Sequence, residues 1–336
     1  MERVGFAIII SSRKGDGVEM KKVVPKRSYP KSKIGFFQQM KKSRTLLLML
    51  MPAVVLVFIF AYIPMGGVIL AFKQFRYDLG IFGSPFVGWD NFKFFFQSGD
   101  ALNVTRNTVL YNLAFLIVNT TLEVGFAIVL SEMVNKVVKK TLQSVIFLPY
   151  FISWVIVSAI AYSLFNYENG GLNALLNLLG MESVNVYAKA GWWKFIITGF
   201  SAWKGVGYGM VVYLASIAGV DSSLIEAAQI DGANIFQRIL YVTIPSIKPT
   251  IITMSLLAIG KIFKGSLDLF YQLIGNNGAL FDATDVIDTY VFRSLITDGD
   301  VGKTAAVGLY QSVLCFVTIM VVNGIIKRTE PDYALF

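Results

Sequence analysis

Six long apolar runs separated by polar stretches set the pattern of the chain, at about residues 46–72, 107–131, 141–165, 192–219, 246–273 and 305–326. A membrane-spanning helix needs ~20 mostly apolar residues, so each run predicts one span. The first run, LLLMLMPAVVLVFIFAYIPMGGVILAF, comes too late and is too long for a cleaved secretory signal, which predicts a retained span. Pro52 and Pro64 are compatible with it, because neighbouring helices or local hydrogen-bond adjustment satisfy freed backbone groups inside a bundle. The expected architecture is an all-α integral membrane protein with six transmembrane helices.

One polar stretch, SSLIEAAQIDGANIFQRILYVTIPSIKP (residues 222–249), interrupts this pattern between the fourth and fifth runs. Ser223 and Glu226 have the spacing of a capping box, in which hydroxyl and carboxylate satisfy backbone donors at a helix start. Asp231 and Gly232 supply a break, since glycine relaxes the backbone limit and aspartate caps a following turn. A second helix is expected through ANIFQRILYV as far as Pro245. Leu224, Ile225, Ala227, Ala228, Ile230, Ile235 and Phe236 give the pair an apolar face. That face is covered either by the protein's own bundle and lipid headgroups or by the groove of a partner.

Composition agrees with the pattern: 55% of the 336 residues are hydrophobic and 15% charged, which excludes an ordinary soluble domain. Charge then orients the spans. With the N-terminus inside, nineteen Lys and Arg residues outside the spans or, for Lys248, at a span's first turn fall on the cytoplasmic side and seven on the other. Both termini and the 222–249 stretch are therefore expected in the cytoplasm. Residues 1–45 form a basic tail, read as disordered and topology-setting, with contact to anionic lipid as the alternative. Met20 looks like a natural start, which makes residues 1–19 a candidate extension of the gene. Residues 327–336 form a short cytoplasmic tail.

The residue inventory argues against catalysis. The chain has no histidine and one cysteine, Cys315, inside the sixth run, so no intrachain disulfide or cysteine-based metal cluster can form. DGDVGKT (residues 298–304) ends like a phosphate loop, but Thr297 stands where the first glycine is required. No bound metal or cofactor is expected on this chain.

EAAQIDGANIFQRILYVTIP resembles the EAA loop of ABC importer permeases: Glu226, Ala227, Ala228, Gly232, Val242, Ile244 and Pro245 fall on the family's positions in order, with Val242 and Ile244 in place of the usual isoleucine and leucine. FVGWDNFKFFF and LPYFISWVIVSAIAYSLFN look like carbohydrate-type permeases, and DVIDTYVFRSLI, AAVGLYQSV and the closing YALF are similar to the LplB-like oligosaccharide/polysaccharide subgroup. The resemblance covers most of residues 45–336 and implies a type I importer fold, with residues 46–326 as the permease domain and 222–245 as its coupling loop. It implies a second homologous permease in a heterodimer, two cytoplasmic ATPases that carry ATP and magnesium, and an extracytoplasmic solute-binding protein. The setting is a bacterial cytoplasmic membrane crossed many times, with lipid and a carbohydrate as further partners and no nucleic acid. In the loop, Glu226 would make a polar contact to the ATPase, Ala227 and Ala228 would allow close approach, Asp231 and Gly232 would form the turn, and Pro245 with Pro249 would fix the exit.

The fifth run offers a solute path. At 100° per residue, Lys261, Lys264, Gly265, Asp268 and Gln272 fall on one helical face, and charged groups at membrane depth usually face a bundle interior or watery cavity. A structural Lys264–Asp268 pair is the competing explanation. Trp203, Tyr208, Phe270 and Tyr271 are candidate sugar platforms, while most aromatics pack or face lipid, and Trp192 and Trp193 read as an interface anchor. An ion-gradient-driven secondary sugar transporter is the alternative function.

Overall fold

The computed structural model describes residues 8–13, 18–23, 41 and 43–329. Contacts divide the chain into two units, residues 1–63 and 64–336. In the first unit, Ile8–Arg13 and Val18–Val23 pair antiparallel, with Ile8 opposite Val23. This hairpin replaces the expected disordered stretch of the basic tail and runs across Met20. The closing YALF lies outside the described residues. All other regular elements among the described residues are helical.

Five helices are long and apolar enough to cross a membrane: Arg44–Phe72, Asp100–Ser131, Ala190–Ala218, Ile235–Ile259 and Val301–Arg328. They are spans 1, 2, 4, 5 and 6. Span 1 has no buried side chain from Arg44 to Tyr62, and Ala71 in its last turn is fully buried. The third run is not one straight helix: Lys136–Phe151 and Trp154–Phe165 meet at 96°. Pro149 lies in the 3₁₀ turn before the bend, where it cannot donate a backbone hydrogen bond. Lys204 of span 4 reaches the bend and donates to the Tyr150 carbonyl at 2.7 Å, so a carbonyl at the break keeps a partner.

Two five-residue π turns, Phe58–Tyr62 and Ile239–Thr243, come just before Pro64 and Pro245. A proline ring clashes with the carbonyl four residues back, and a wider turn relieves that clash without ending the helix. The second helix of the polar stretch therefore does not stop at Pro245; it continues as span 5 to Ile259.

Span 5 differs most from expectation. It starts at Ile235 and ends at Ile259, and residues 260–266 form turns before the separate helix Leu267–Ile274. Lys261 to Gln272 therefore do not share one helical face, and the i,i+4 argument for a Lys264–Asp268 pair has no continuous helix to rest on. The open backbone groups of the break, three carbonyls and one N–H, find partners on three elements. Asn112 Nδ2 of span 2 donates to Ile262 O at 3.0 Å and Lys264 O at 3.2 Å. Gln311 Nε2 of span 6 donates to Phe263 O at 2.8 Å and to Asp288 Oδ2 at 2.7 Å, and that same Asp288 oxygen accepts from the Gly265 N–H.

Spans 2 and 4 make the most extensive helix pair. Near the end that carries residues 219–235, Ala127, Leu130, Met210, Tyr213 and Ile247 form one core cluster. Toward the other end Tyr111, Trp193, Ile197, Phe270, Leu273 and Val286 form a second. Trp193 is fully buried and donates from its indole to Val186 O at 3.1 Å, so only Trp192 fits the expected interface anchor.

Candidate functional site

The structure presents two places with functional character, at opposite ends of span 5. The first is the outlying helix Ser222–Ile230, which has no buried residue. Its N-cap is Asp221, whose carboxylate accepts from the Ser223 N–H at 3.0 Å. The expected Ser223–Glu226 capping box is not formed; the helix begins two residues earlier, and the aspartate takes the orphan donor. Hydrogen bonds from Ser223 hold the Asp221 carboxyl below its ordinary range.

The helix ends in a Schellman turn. Ala233 N–H bonds Ala228 O at 2.9 Å and Gly232 N–H bonds Gln229 O at 3.1 Å. Gly232 sits at φ +82°, a left-handed conformation that glycine adopts without a Cβ penalty. Asp231 is the C-cap and does not start the next helix. Asn234 does that, in a reciprocal box: its side chain accepts from Gln237 N–H at 2.9 Å, and Gln237 Oε1 accepts from Asn234 N–H at 2.8 Å.

Glu226 and Ala227 are exposed on the outlying helix and Ala228 is half-buried. Asp231, Gly232 and Ala228 border a concavity of about 300 Å³ with Gln237 and Tyr241. Exposed Leu224, Ile230 and Phe236 leave the apolar face uncovered, with Phe236 78% accessible. The attachment of this elbow to the bundle includes an ion pair that sequence reasoning missed: Arg238 to Glu132 at the end of span 2, 3.1 Å. The two residues are 106 apart in sequence, so no helical periodicity could have paired them.

The second place is a cavity of about 510 Å³ bounded by spans 2, 4 and 5 and the 260–266 break. Lys261 and Lys264 line it, with Asn112, Asn119, Thr120, Glu123 and Tyr213. Both lysines are exposed to it, and neither has a carboxylate within ion-pair distance among the described residues. The break brings these two residues together where a continuous helix was expected to do so. Asn119 Oδ1 is buried without a hydrogen-bond partner. Glu123 is packed against span 4 at Gly209, where a Cβ would fall 2.0 Å from its carboxyl carbon. A carboxylate inside an apolar run was the signal that could have found it.

The other pathway candidates lie elsewhere. Asp268 and Gln272 are on the Leu267–Ile274 helix and do not line the cavity. Phe270 is a core residue in edge contact with Tyr111, and Tyr271 packs on Phe292. Trp203 packs on Phe200, while Tyr208 stacks on Tyr150 beside the bend of the third run, 4.9 Å between centroids. Lys303 belongs to a helix start, its N–H bonded to Asp300 Oδ1 at 3.0 Å, and makes no phosphate loop.

A multi-span bundle with a polar cavity at one end of a rod and an uncovered amphipathic elbow at the other is the form of a membrane permease that takes its drive from a partner. The profile of the binding-protein-dependent transport system inner membrane component family matches residues 123–331, and the chain belongs to that family. It is a transmembrane, non-catalytic permease component of an ABC importer. The chain is 34% identical to Protein LplB of Bacillus subtilis (strain 168) over 299 residues, covering 89% of this chain and 93% of LplB. It is 29% identical to the polygalacturonan/rhamnogalacturonan transport system permease protein YteP of the same organism, covering 85% and 89%. Among solved structures it is similar to a chain of a bacterial ABC transporter involved in the import of the acidic polysaccharide alginate, with a TM-score of 0.79, 28% identity and coverage of 88% and 99%. A further alginate transporter structure contains a periplasmic protein bound to an alginate pentasaccharide. Family membership replaces the ion-gradient alternative.

Proposed function

We propose that this permease carries an oligosaccharide from an extracytoplasmic binding protein into the cytoplasm, coupled to ATP hydrolysis on separate ATPase chains that hold the ATP and magnesium. The observation that carries the reading is the polar cavity beside the 260–266 break, placed at the end of the same helix that begins at the elbow. Similarity to permeases named for polygalacturonan/rhamnogalacturonan and for arabinooligosaccharides supports the substrate class. A second, homologous permease would close the other side of the path.

The coupling rests on continuity. Glu226, Ala227 and Ala228 dock the outlying helix on an ATPase, and the Asp231–Gly232 turn fixes its angle to span 5. From Ile235 through Pro245 to Ile259 the chain is one helix of 25 residues, about 37 Å at ~1.5 Å per residue. The Arg238–Glu132 pair ties the start of that rod to span 2. Movement imposed on the elbow by ATPase closure is thereby delivered to the break that carries Lys261 and Lys264. ATP and solute then bias the same inward-to-outward equilibrium.

Ala258 lines the cavity in the last turn of the rod. In vesicles holding this chain with its candidate partner permease, ATPases and binding protein, Ala258→Trp is expected to lower oligosaccharide uptake at least about ten-fold, each ten-fold representing ~1.4 kcal/mol. Co-purification of the ATPases checks assembly. Uptake at the unsubstituted rate in an assembled A258W complex would remove the cavity from the path. Uptake that persists without ATP but collapses with the ion gradient would remove the ATP-coupled reading altogether.

A further inference from the structure

The cavity has an asymmetric charge pattern that a neutral sugar does not require. Its break-side wall carries two ammonium groups, Lys261 and Lys264, open to the space and without ion-pair partners among the described residues. Among its lining residues only Glu123 of span 2 carries a carboxylate, and it lies against Gly209 of span 4. The Asp288 carboxylate stands behind the break, bonded by Gly265 N–H and Gln311 and in electrostatic reach of Lys264 without lining the cavity. The remaining polar lining is neutral and suited to hydroxyl groups: Asn112, Asn119, Thr120, Tyr213 and Ser266. Asn119 Oδ1, buried and unbonded, is an acceptor left over by the protein's own hydrogen bonding.

The lysines are also held in place. They stand on a non-helical segment whose carbonyls at Ile262, Phe263 and Lys264 are bonded by Asn112 and Gln311, and whose Gly265 N–H is bonded by Asp288. Three elements thus fix the backbone bearing the two lysines, neither of which has a carboxylate within ion-pair distance among the described residues. Irregular backbone at membrane depth is tolerated where it is buried in protein or lines a watery cavity, and unpaired cations there mark ligand or ion paths.

We propose that the cavity is a carboxylate-reading station: Lys261 and Lys264 receive the carboxylates of an acidic oligosaccharide, a chain of uronic acid units, while Asn119 and Thr120 bond its hydroxyls. The proposal rests on the reading of the cavity as part of the solute path and adds the charge of the solute. An ammonium and a carboxylate form a charge-assisted hydrogen bond stronger than a neutral pair. Asn112, Asp288 and Gln311 are positioning residues for the two lysines.

The test is equilibrium binding of labelled trigalacturonate and labelled maltotriose to the complete transporter in nanodiscs, without the binding protein, so that this chain's cavity and not the delivery protein makes the selection. Trigalacturonate is expected to bind about ten-fold more tightly than maltotriose, with the preference shrinking as salt rises from low to physiological ionic strength. Lys261→Gln with Lys264→Gln should abolish the preference, bringing trigalacturonate affinity down to that of maltotriose in the same variant, and Lys261→Arg with Lys264→Arg should retain it. Equal binding of the two sugars, no trigalacturonate binding at millimolar concentration, or a preference that survives the double glutamine substitution would each overturn the proposal. Those results are separable from failure of the path itself, which is read by uptake in the A258W complex.

Discussion

Gly232→Pro is expected to leave the chain inserted in the membrane and to reduce uptake about 10²-fold, the scale on which a remote misplacement near 1 Å acts on a positioned site. The reason is local and geometric. Gly232 occupies φ +82°, whereas proline is locked near about −65°. Its N–H closes the Schellman turn onto Gln229 O, and proline has none to give. The turn sets the angle between the outlying helix and the rod that starts at Ile235, so the elbow would present its apolar face in a different direction. Gly232→Asn is the control, since asparagine tolerates the left-handed region better than other non-glycine residues; it should retain most of the uptake. Measuring ATPase co-purification beside uptake identifies the broken step. Unchanged uptake and co-purification in G232P would defeat the coupling role of the elbow.

The sequence makes the elbow legible because its information is local. Glu226, Ala227, Ala228, Gly232 and Pro245 are fixed by spacing within twenty residues, and the glycine has the conformation that its position demanded. What local reading confused was which neighbour serves as the cap: Asp221 instead of Ser223, Asn234 instead of Asp231. Short polar residues are interchangeable acceptors, so the cap depends on where the backbone turns, and boundaries shift by a residue or two.

The cavity was only half legible, for the opposite reason. Lys261 and Lys264 announced themselves as charges in an apolar run, but hydropathy is blind to whether that run is one helix. The break at 260–266 depends on Asn112, Asp288 and Gln311, which come from three distant parts of the chain. Their own local sequences carry no sign of that task. The same blindness applies to the third run, where Lys204 supports the Tyr150 carbonyl from another span. In both cases a polar side chain inside an apolar helix serves the broken backbone of its neighbour. A lone Asn, Gln or Lys in a predicted span is therefore as good a hint of a broken helix next door as of a ligand contact. Asp268 and Gln272 illustrate the error in the other direction: correct residue types, assigned to a shared face that the break removes.

The glycines of WKGVGYGM separate packing from chemistry within one turn of span 4. Gly207 lies against the backbone of the Lys136–Phe147 helix: a Cβ there would fall 2.3 Å from Ile146 O and 2.6 Å from Phe147 Cα. Backbone cannot swing aside, so Gly207→Ala should force two helices apart just before the bend. Overpacking a close contact costs ~1–3 kcal/mol or more, and the expected result is a clear fall in the thermal midpoint of the purified complex together with a low yield of assembled transporter. Gly209→Ala meets only the end of the Glu123 side chain, which can rotate. This variant should assemble with a midpoint close to that of the unsubstituted protein, while the displaced carboxylate alters the charge of the cavity and lowers uptake. The pair thus has opposite signatures, stability lost at Gly207 and transport lost at Gly209. A stable G207A complex would show that the two helices do not touch at this point in the working transporter, and unaltered uptake in G209A would show that the position of Glu123 is immaterial to the path.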